Sequence, residues 1–159
     1  MGCSNCEKGL PRVSQIRFDE WVREIREAVG CECEPYDGIQ NEYTIRIPAA
    51  NLRDVMGILK DRFDCYHLSA ITAQQHEDRP EELEVIYHFW KGEGISFVMT
   101  LPLESLVIES ITPDLPGADF YERELAELYG VSFSGREEIP PLLLPDDWNQ
   151  PPPFLSKKD

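Results

Sequence analysis

The sequence has no long apolar run: nowhere in its 159 residues does a hydrophobic stretch approach the ~18 residues a membrane-spanning helix needs. The N-terminus lacks the basic and apolar regions of a signal peptide. Met1-Gly2-Cys3-Ser4-Asn5-Cys6 sets Cys6 where a myristoylation site wants Ser or Thr. The expectation is a soluble, cytoplasmic protein, without direct membrane insertion, that reaches a membrane only through a partner. Positive charge is scarce as well, with 15 Lys+Arg against 30 Asp+Glu and a net charge of −15. Phosphate neutralisation needs a Lys/Arg surplus, so nucleic acid is excluded as a general partner. Anionic lipid is disfavoured for the same reason. Glycine-rich phosphate loops are missing too. Lys91-Gly92-Glu93-Gly94 carries an acid among its glycines and reads as a hairpin turn, and no Walker or dinucleotide fingerprint occurs. The three histidines, His67, His76 and His88, show no metalloprotease spacing and stand in no convincing nucleophile context, so they read as core or surface residues. No catalytic residue is assigned.

What is present suits one compact domain. The chain is 42% hydrophobic and 10% aromatic, enough apolar surface to offset the entropy of ordering. Its acidity is uneven. Residues 1–30 hold five acids and five bases, so the whole net charge lies beyond them. Glu104 to Glu138 contains nine acids and two bases, either a solvated face or one that meets a basic partner.

Periodicity places the elements. Phe18, Trp21, Val22, Ile25, Ala28 and Val29 form a 3.6-residue stripe that predicts a helix over Ser14–Val29, closed by Gly30. A turn-rich stretch follows to Gly38. Glu42–Ile47 alternates as a strand, and Pro48 opens a second helix to about Arg62, with Leu52, Val55, Met56 and Leu59 on one face. Cys65–Thr72 reads as a strand and Gln74–Glu82 as a loop or hairpin end. Leu83–Trp90 and Ile95–Leu101 read as an antiparallel hairpin, and Leu106–Ile111 as a short strand. Asp119–Tyr129 is the last helix, with Asp119 and Glu122 spaced like a capping box and Gly130 as terminator. Six of the thirteen prolines fall in the final twenty residues. They predict an extended tail, whose apolar Leu142, Leu143, Leu144, Trp148, Phe154 and Leu155 either fold back or bind another chain. The fold class is α+β: a mainly antiparallel sheet, helices on one face and an extended proline-rich C-terminal tail. The expected units are an N-terminal helical extension (1–38), an α+β domain (39–135) and the tail (136–159).

Two constellations carry chemistry. Cys3-x-x-Cys6 and Cys31-x-Cys33 together offer four thiolates for zinc or an iron–sulfur cluster, against the alternative of free thiols; a disulfide is disfavoured in a reducing compartment. Cys65 reads as a buried apolar filler. On the last helix Glu124 and Glu127 share a face, and Arg123 and Glu127 stand at ion-pair spacing. That face is either solvated or recognises basic groups of another subunit.

Tyr121-Glu122-Arg123-Glu124-Leu125-Ala126-Glu127-Leu128-Tyr129-Gly130-Val131 resembles the hallmark segment of the thirty-kilodalton subunit of respiratory complex I. Phe133-Ser134-Gly135 and Leu142-Leu143-Leu144-Pro145-Asp146-Asp147-Trp148 resemble its continuation. The order of segments upstream, from about Thr44, matches as well. Departures are Arg136 where the family usually has His, Pro140-Pro141 in place of an Arg pair, and Pro151-Pro152-Pro153 in place of a basic ending. In these the chain looks more like the cognate subunit of membrane-bound NiFe hydrogenase complexes. The resemblance implies a non-catalytic subunit that binds no cofactor of its own. Its partners would be the large catalytic-type subunit, with its quinone or NiFe site, and the small iron–sulfur subunit of the complex. The partner-binding residues so implied are Glu122, Arg123, Glu124, Glu127, Arg136, Leu142, Leu143, Asp146, Asp147 and Trp148. The rival reading is a stand-alone metal-binding or redox protein using Cys3, Cys6, Cys31 and Cys33. A hydrolase using the acidic clusters lacks any positive motif.

Overall fold

The computed structural model describes residues 15–30, 33–36, 42–92 and 94–155. Helix α1 (Gln15–Val29) buries the predicted stripe at Phe18, Trp21, Val22 and Ile25. It ends at Gly30, whose φ of +67° lets its N–H reach the Arg26 carbonyl at 2.9 Å. Strand β1 (Glu34–Pro35) pairs antiparallel with β2 (Glu42–Arg46). A 3-10 turn at Ala49–Asn51 then feeds α2 (Leu52–Asp61), which buries Leu52, Val55, Met56 and Leu59.

Three long strands follow: β3 (Leu68–His76), β4 (Arg79–Trp90) and β5 (Gly94–Pro102). The sheet runs β1-β2-β5-β4-β3, with β2 and β5 parallel and every other pair antiparallel. Period-two alternation puts Leu83, Val85, Tyr87 and Phe89 of β4 on one face. Their register partners on β5 are Leu101, Met99, Phe97 and Ile95. All eight join the core cluster with the stripes of α1 and α2 and with Leu125 of the last helix. Trp21 stacks on Phe63 at 4.5 Å and Phe18 on Tyr43 at 4.8 Å, which seats α1 on this face. A short pair, β6 (Val107–Glu109) and β7 (Ser132–Ser134), lies parallel at the two ends of the segment carrying α3 (Asp119–Tyr129). The α+β class, the mainly antiparallel sheet and the helix-covered face follow the sequence expectation.

Three details differ from it. The strand expected over Cys65–Thr72 begins at Leu68 and continues to His76. The segment Gln74–Glu82, expected as a loop or hairpin end, is strand except for the Glu77-Asp78 turn. Its polar residues belong to a polar sheet face, where Gln74, His76 and Arg79 surround the buried Glu84. The capping box on α3 is not made. Its N-cap residue is Ala118, without a side-chain bond, and Glu122 turns to another partner set.

Candidate docking surface

The first turn of α3 is fastened to the strands on either side of it. Glu122 is completely buried. Its carboxylate accepts the Ile111 amide at 2.9 Å, the Ser110 hydroxyl at 2.7 Å and the Arg136 guanidinium at 3.1 Å. Arg136 also donates to Asp119 at 2.6 Å. One arginine thus bridges two acids of the helix, one of which water cannot reach. Burial opposes the charge on Arg136, but both carboxylates hold its pKa above the ordinary value. The glycine at the other end of α3 is just as constrained. Gly130 closes the helix with φ +71°, and a side chain there would meet Pro152 Cγ at 2.9 Å.

The tail folds back along α3. Arg123 donates to the carbonyls of Pro140 at 3.0 Å and Pro141 at 2.5 Å. One turn further, Glu127 accepts the three successive amides of Leu142, Leu143 and Leu144 at 2.5, 2.7 and 3.2 Å. Desolvation works against the Glu127 carboxylate, yet these amides and the nearby Arg123 lower its pKa. The expected Arg123–Glu127 ion pair is therefore replaced by a division of labour: Arg123 pairs with Asp119 at 3.5 Å and holds carbonyls, while Glu127 holds amides. A turn from Pro145 to Trp148 interrupts the extended course. Beyond it the Phe154 amide bonds to the Leu128 carbonyl at 3.0 Å, and the Phe154 ring meets Tyr129 edge-on at 5.6 Å.

Of the residues implied as partner-binding, Glu122, Arg123, Glu127 and Arg136 are thus engaged within the chain. Glu124 and Leu142 are half-buried, and Leu143, Asp146, Asp147 and Trp148 are exposed. Leu143 is 59% exposed and Trp148 42%, large values for apolar side chains held on a folded tail. Phe120, at the start of α3, is exposed too, with the Arg123 guanidinium 5.6 Å over its ring. Its position outside the stripe of α3 is the signal that sequence reading passed over.

A second polar cluster occupies the sheet face turned away from the core. Glu84 is 1% exposed and accepts from Arg46 at 2.8 Å, Gln74 at 3.1 Å and Arg79 at 3.2 Å, with His76 Nε2 at 2.7 Å. Burial pushes its pKa up, but His76, Arg46 and Gln74 outweigh that and take it down to about 2. Such a carboxylate stays ionised at neutral pH and serves no proton transfer. His88 bridges Ser96 at 2.8 Å and Thr72 at 3.0 Å across the same face, and His67 is exposed.

Cys65 is a buried free thiol whose pKa burial raises, as a core filler should be. Cys33 is buried in the core and disulfide-bonded, which corrects the expectation that disulfides are disfavoured here. Cys3, Cys6 and Cys31 lie outside the described residues. Among the described residues no group of three or more His, Cys, Asp or Glu is placed to hold a metal ion. No described helix is long and apolar enough to cross a membrane.

The family profile described as "Respiratory-chain NADH dehydrogenase, 30 Kd subunit" matches residues 45–157, and so includes α3 and the tail. The chain is 34% identical over 115 residues to the C subunit of the F(420)H(2) dehydrogenase of Methanosarcina mazei, covering 69% of this chain and 72% of that one. It is 33% identical over 106 residues to the C subunit of the NADH-quinone oxidoreductase of Mesorhizobium japonicum, covering 64% and 53%. The chain therefore spans only about half of that bacterial protein. Among solved structures it resembles a chain of the membrane-bound sulfane sulfur reductase, an archaeal respiratory membrane complex, with a TM-score of 0.66, 25% identity and coverage of 81% and 77%. It also resembles a trypsin-resistant fragment of Nqo5, with a TM-score of 0.60, 25% identity and coverage of 79% and 99%. On its sequence and on its fold alike, the chain belongs to the family of the 30 Kd subunit of respiratory-chain NADH dehydrogenase.

Proposed function

We propose that this chain is a non-catalytic structural and assembly subunit of a membrane-associated, complex-I-related oxidoreductase of the NiFe-hydrogenase or NADH–quinone type. In this reading it packs on the large catalytic-type subunit, near the small iron–sulfur subunit, on the cytoplasmic side of the membrane. It thereby supports electron transfer coupled to ion translocation. The observation that carries the reading is the tail: a segment inside the family match is folded onto α3, yet keeps Leu143 and Trp148 turned to solvent. Its relatives belong to complexes whose names give different electron donors and acceptors. That pattern suits a shared scaffold rather than a substrate site.

The test is truncation after Glu138 in the affinity-tagged full chain, assembled with its complex. Arg136 must be kept, because removing it would leave the buried Glu122 without its cation. The truncated chain is expected to retain its circular dichroism and lose the large subunit on purification. Undiminished co-purification would overturn the reading.

A further inference from the structure

The hydrogen bonds between α3 and the tail follow a pattern that one charge alone would not produce. Arg123, a cation, meets two carbonyls; Glu127, one turn along, meets three amides. Each group takes the end of the backbone dipole opposite to its own charge, so two side chains between them hold residues 140–144. Within the clamped segment Leu143 points outward, while burial fastens the tail on either side of it, at Ile139 and Leu155. The charge left over is one-sided. Arg123 and Arg136, the two bases between Glu104 and Asp147, are both engaged within the chain. Asp119, Glu122 and Glu127 are engaged likewise. Glu137 and Glu138 before the clamped segment, and Asp146 and Asp147 beside Trp148, remain exposed.

We propose that Arg123 and Glu127 are positioning residues that clamp the tail in a preset shape, and that the tail so presented docks on a basic protein face with an apolar recess for Leu143 and Trp148. The proposal rests on the docking reading above and adds how the tail is held and what chemistry receives it. A tail ordered before binding avoids the entropy loss that a loose one would suffer on docking. Exposed carboxylates flanking an apolar anchor attract Lys and Arg and repel anionic lipid, which selects a protein over a membrane.

The test uses the tagged full chain assembled with its complex, with retention of the large subunit read at increasing salt. Glu127→Ala is expected to lower retention at least tenfold, and Glu127→Gln, which keeps one acceptor oxygen, to fall between. In the free chain Glu127→Ala should speed amide exchange at Leu142–Leu144 at least tenfold, with exchange in β4 and β5 unchanged. A photo-crosslinking residue in place of Trp148 should mark large-subunit peptides that carry Lys or Arg. Retention that survives truncation after Glu138 overturns the docking reading itself. Release by truncation, with full retention in Glu127→Ala despite faster exchange, overturns the clamp and leaves docking standing. Crosslinks to acidic or uncharged peptides overturn the basic face.

Discussion

Arg136 reaches the fully buried carboxylate of Glu122 at 3.1 Å while its other nitrogen holds Asp119 at 2.6 Å. The pair joins the segment after β7 to the first turn of α3, seventeen residues apart at its wider contact. A buried charge that loses one partner is destabilising by about 3–5 kcal/mol. Glu122→Ala is expected to fall in that range, because it also orphans the Ile111 amide and the Ser110 hydroxyl. Arg136→His, which restores the residue usual in the resembled family, keeps one donor to Glu122 but cannot fork to both acids. It should cost about 1.5–3 kcal/mol, the range for a charged hydrogen bond lost. Urea denaturation of the two variants checks this. A Glu122→Ala loss below that of Arg136→His would show that the carboxylate is not the hub.

The Glu84 cluster predicts the direction of acid sensitivity. Its folded pKa, about 2, lies below the usual 4.5, so the folded state binds the proton less readily than the unfolded chain. The stabilisation is complete above the unfolded value and is lost as pH falls through the folded one. Wild type should therefore weaken progressively between about pH 5 and pH 2. Glu84→Gln removes this share. The stability gap between wild type and variant is expected to shrink as pH falls from about 5 towards 2. Denaturant titration across that interval measures it, and a gap that widens on acidification would refute the assignment.

How much of this was legible beforehand depended on whether a signal was local. The stripes of α1, α2 and α3 repeat within one turn, and Gly30 and Gly130 mark the ends of the first and last, so periodicity found them. The polar run Gln74–Glu82 misled because strand polarity has two sources. A loop is polar because water surrounds it; β3 and β4 are polar there because Gln74, His76 and Arg79 must satisfy Glu84. That carboxylate stands between Leu83 and Val85, two fully buried residues of β4, which was the available signal. Glu122 misled in the same way: spacing to Asp119 suggested a cap, but its partners Ile111 and Arg136 are eleven and fourteen residues distant in sequence. The hallmark residues on α3 were found by resemblance, whereas their division into inward fasteners and tail clamps required coordinates.

Gly130 and Gly30 provide an internal control for the tail. Both end helices in the left-handed region, at φ +71° and +67°. Among the described residues a Cβ at Gly30 meets nothing within 4 Å, while one at Gly130 meets Pro152 Cγ at 2.9 Å. Gly30→Ala should cost about 1 kcal/mol of backbone strain alone. Gly130→Ala adds a collision that the tail relieves by lifting, so its loss should be greater, and amide exchange at Phe154 should rise with it. Thermal melts and exchange on the two variants separate the contributions. Equal losses with an unchanged Phe154 amide would mean that the tail adapts without leaving α3.

Tyr87 presents a different case, a cost carried inside the core. Its ring fills the sheet's helix-facing side and is completely buried, yet its hydroxyl has no hydrogen-bond partner among the described residues. Burial, and then the charge of Glu122, push its pKa above the ordinary phenol value. An unsatisfied buried hydroxyl costs about 1–3 kcal/mol, whereas the ring itself contributes apolar burial that phenylalanine retains. Tyr87→Phe is therefore expected to be neutral or to stabilise by up to about 1 kcal/mol, the reverse of most core substitutions. Tyr87→Leu, which shrinks the ring, should instead destabilise by about 1–3 kcal/mol through the space it leaves. Chemical denaturation of both variants distinguishes packing from polarity at this one position. A loss in Tyr87→Phe as large as in Tyr87→Leu would show that the hydroxyl has a partner after all, most simply an ordered water shared with Glu122.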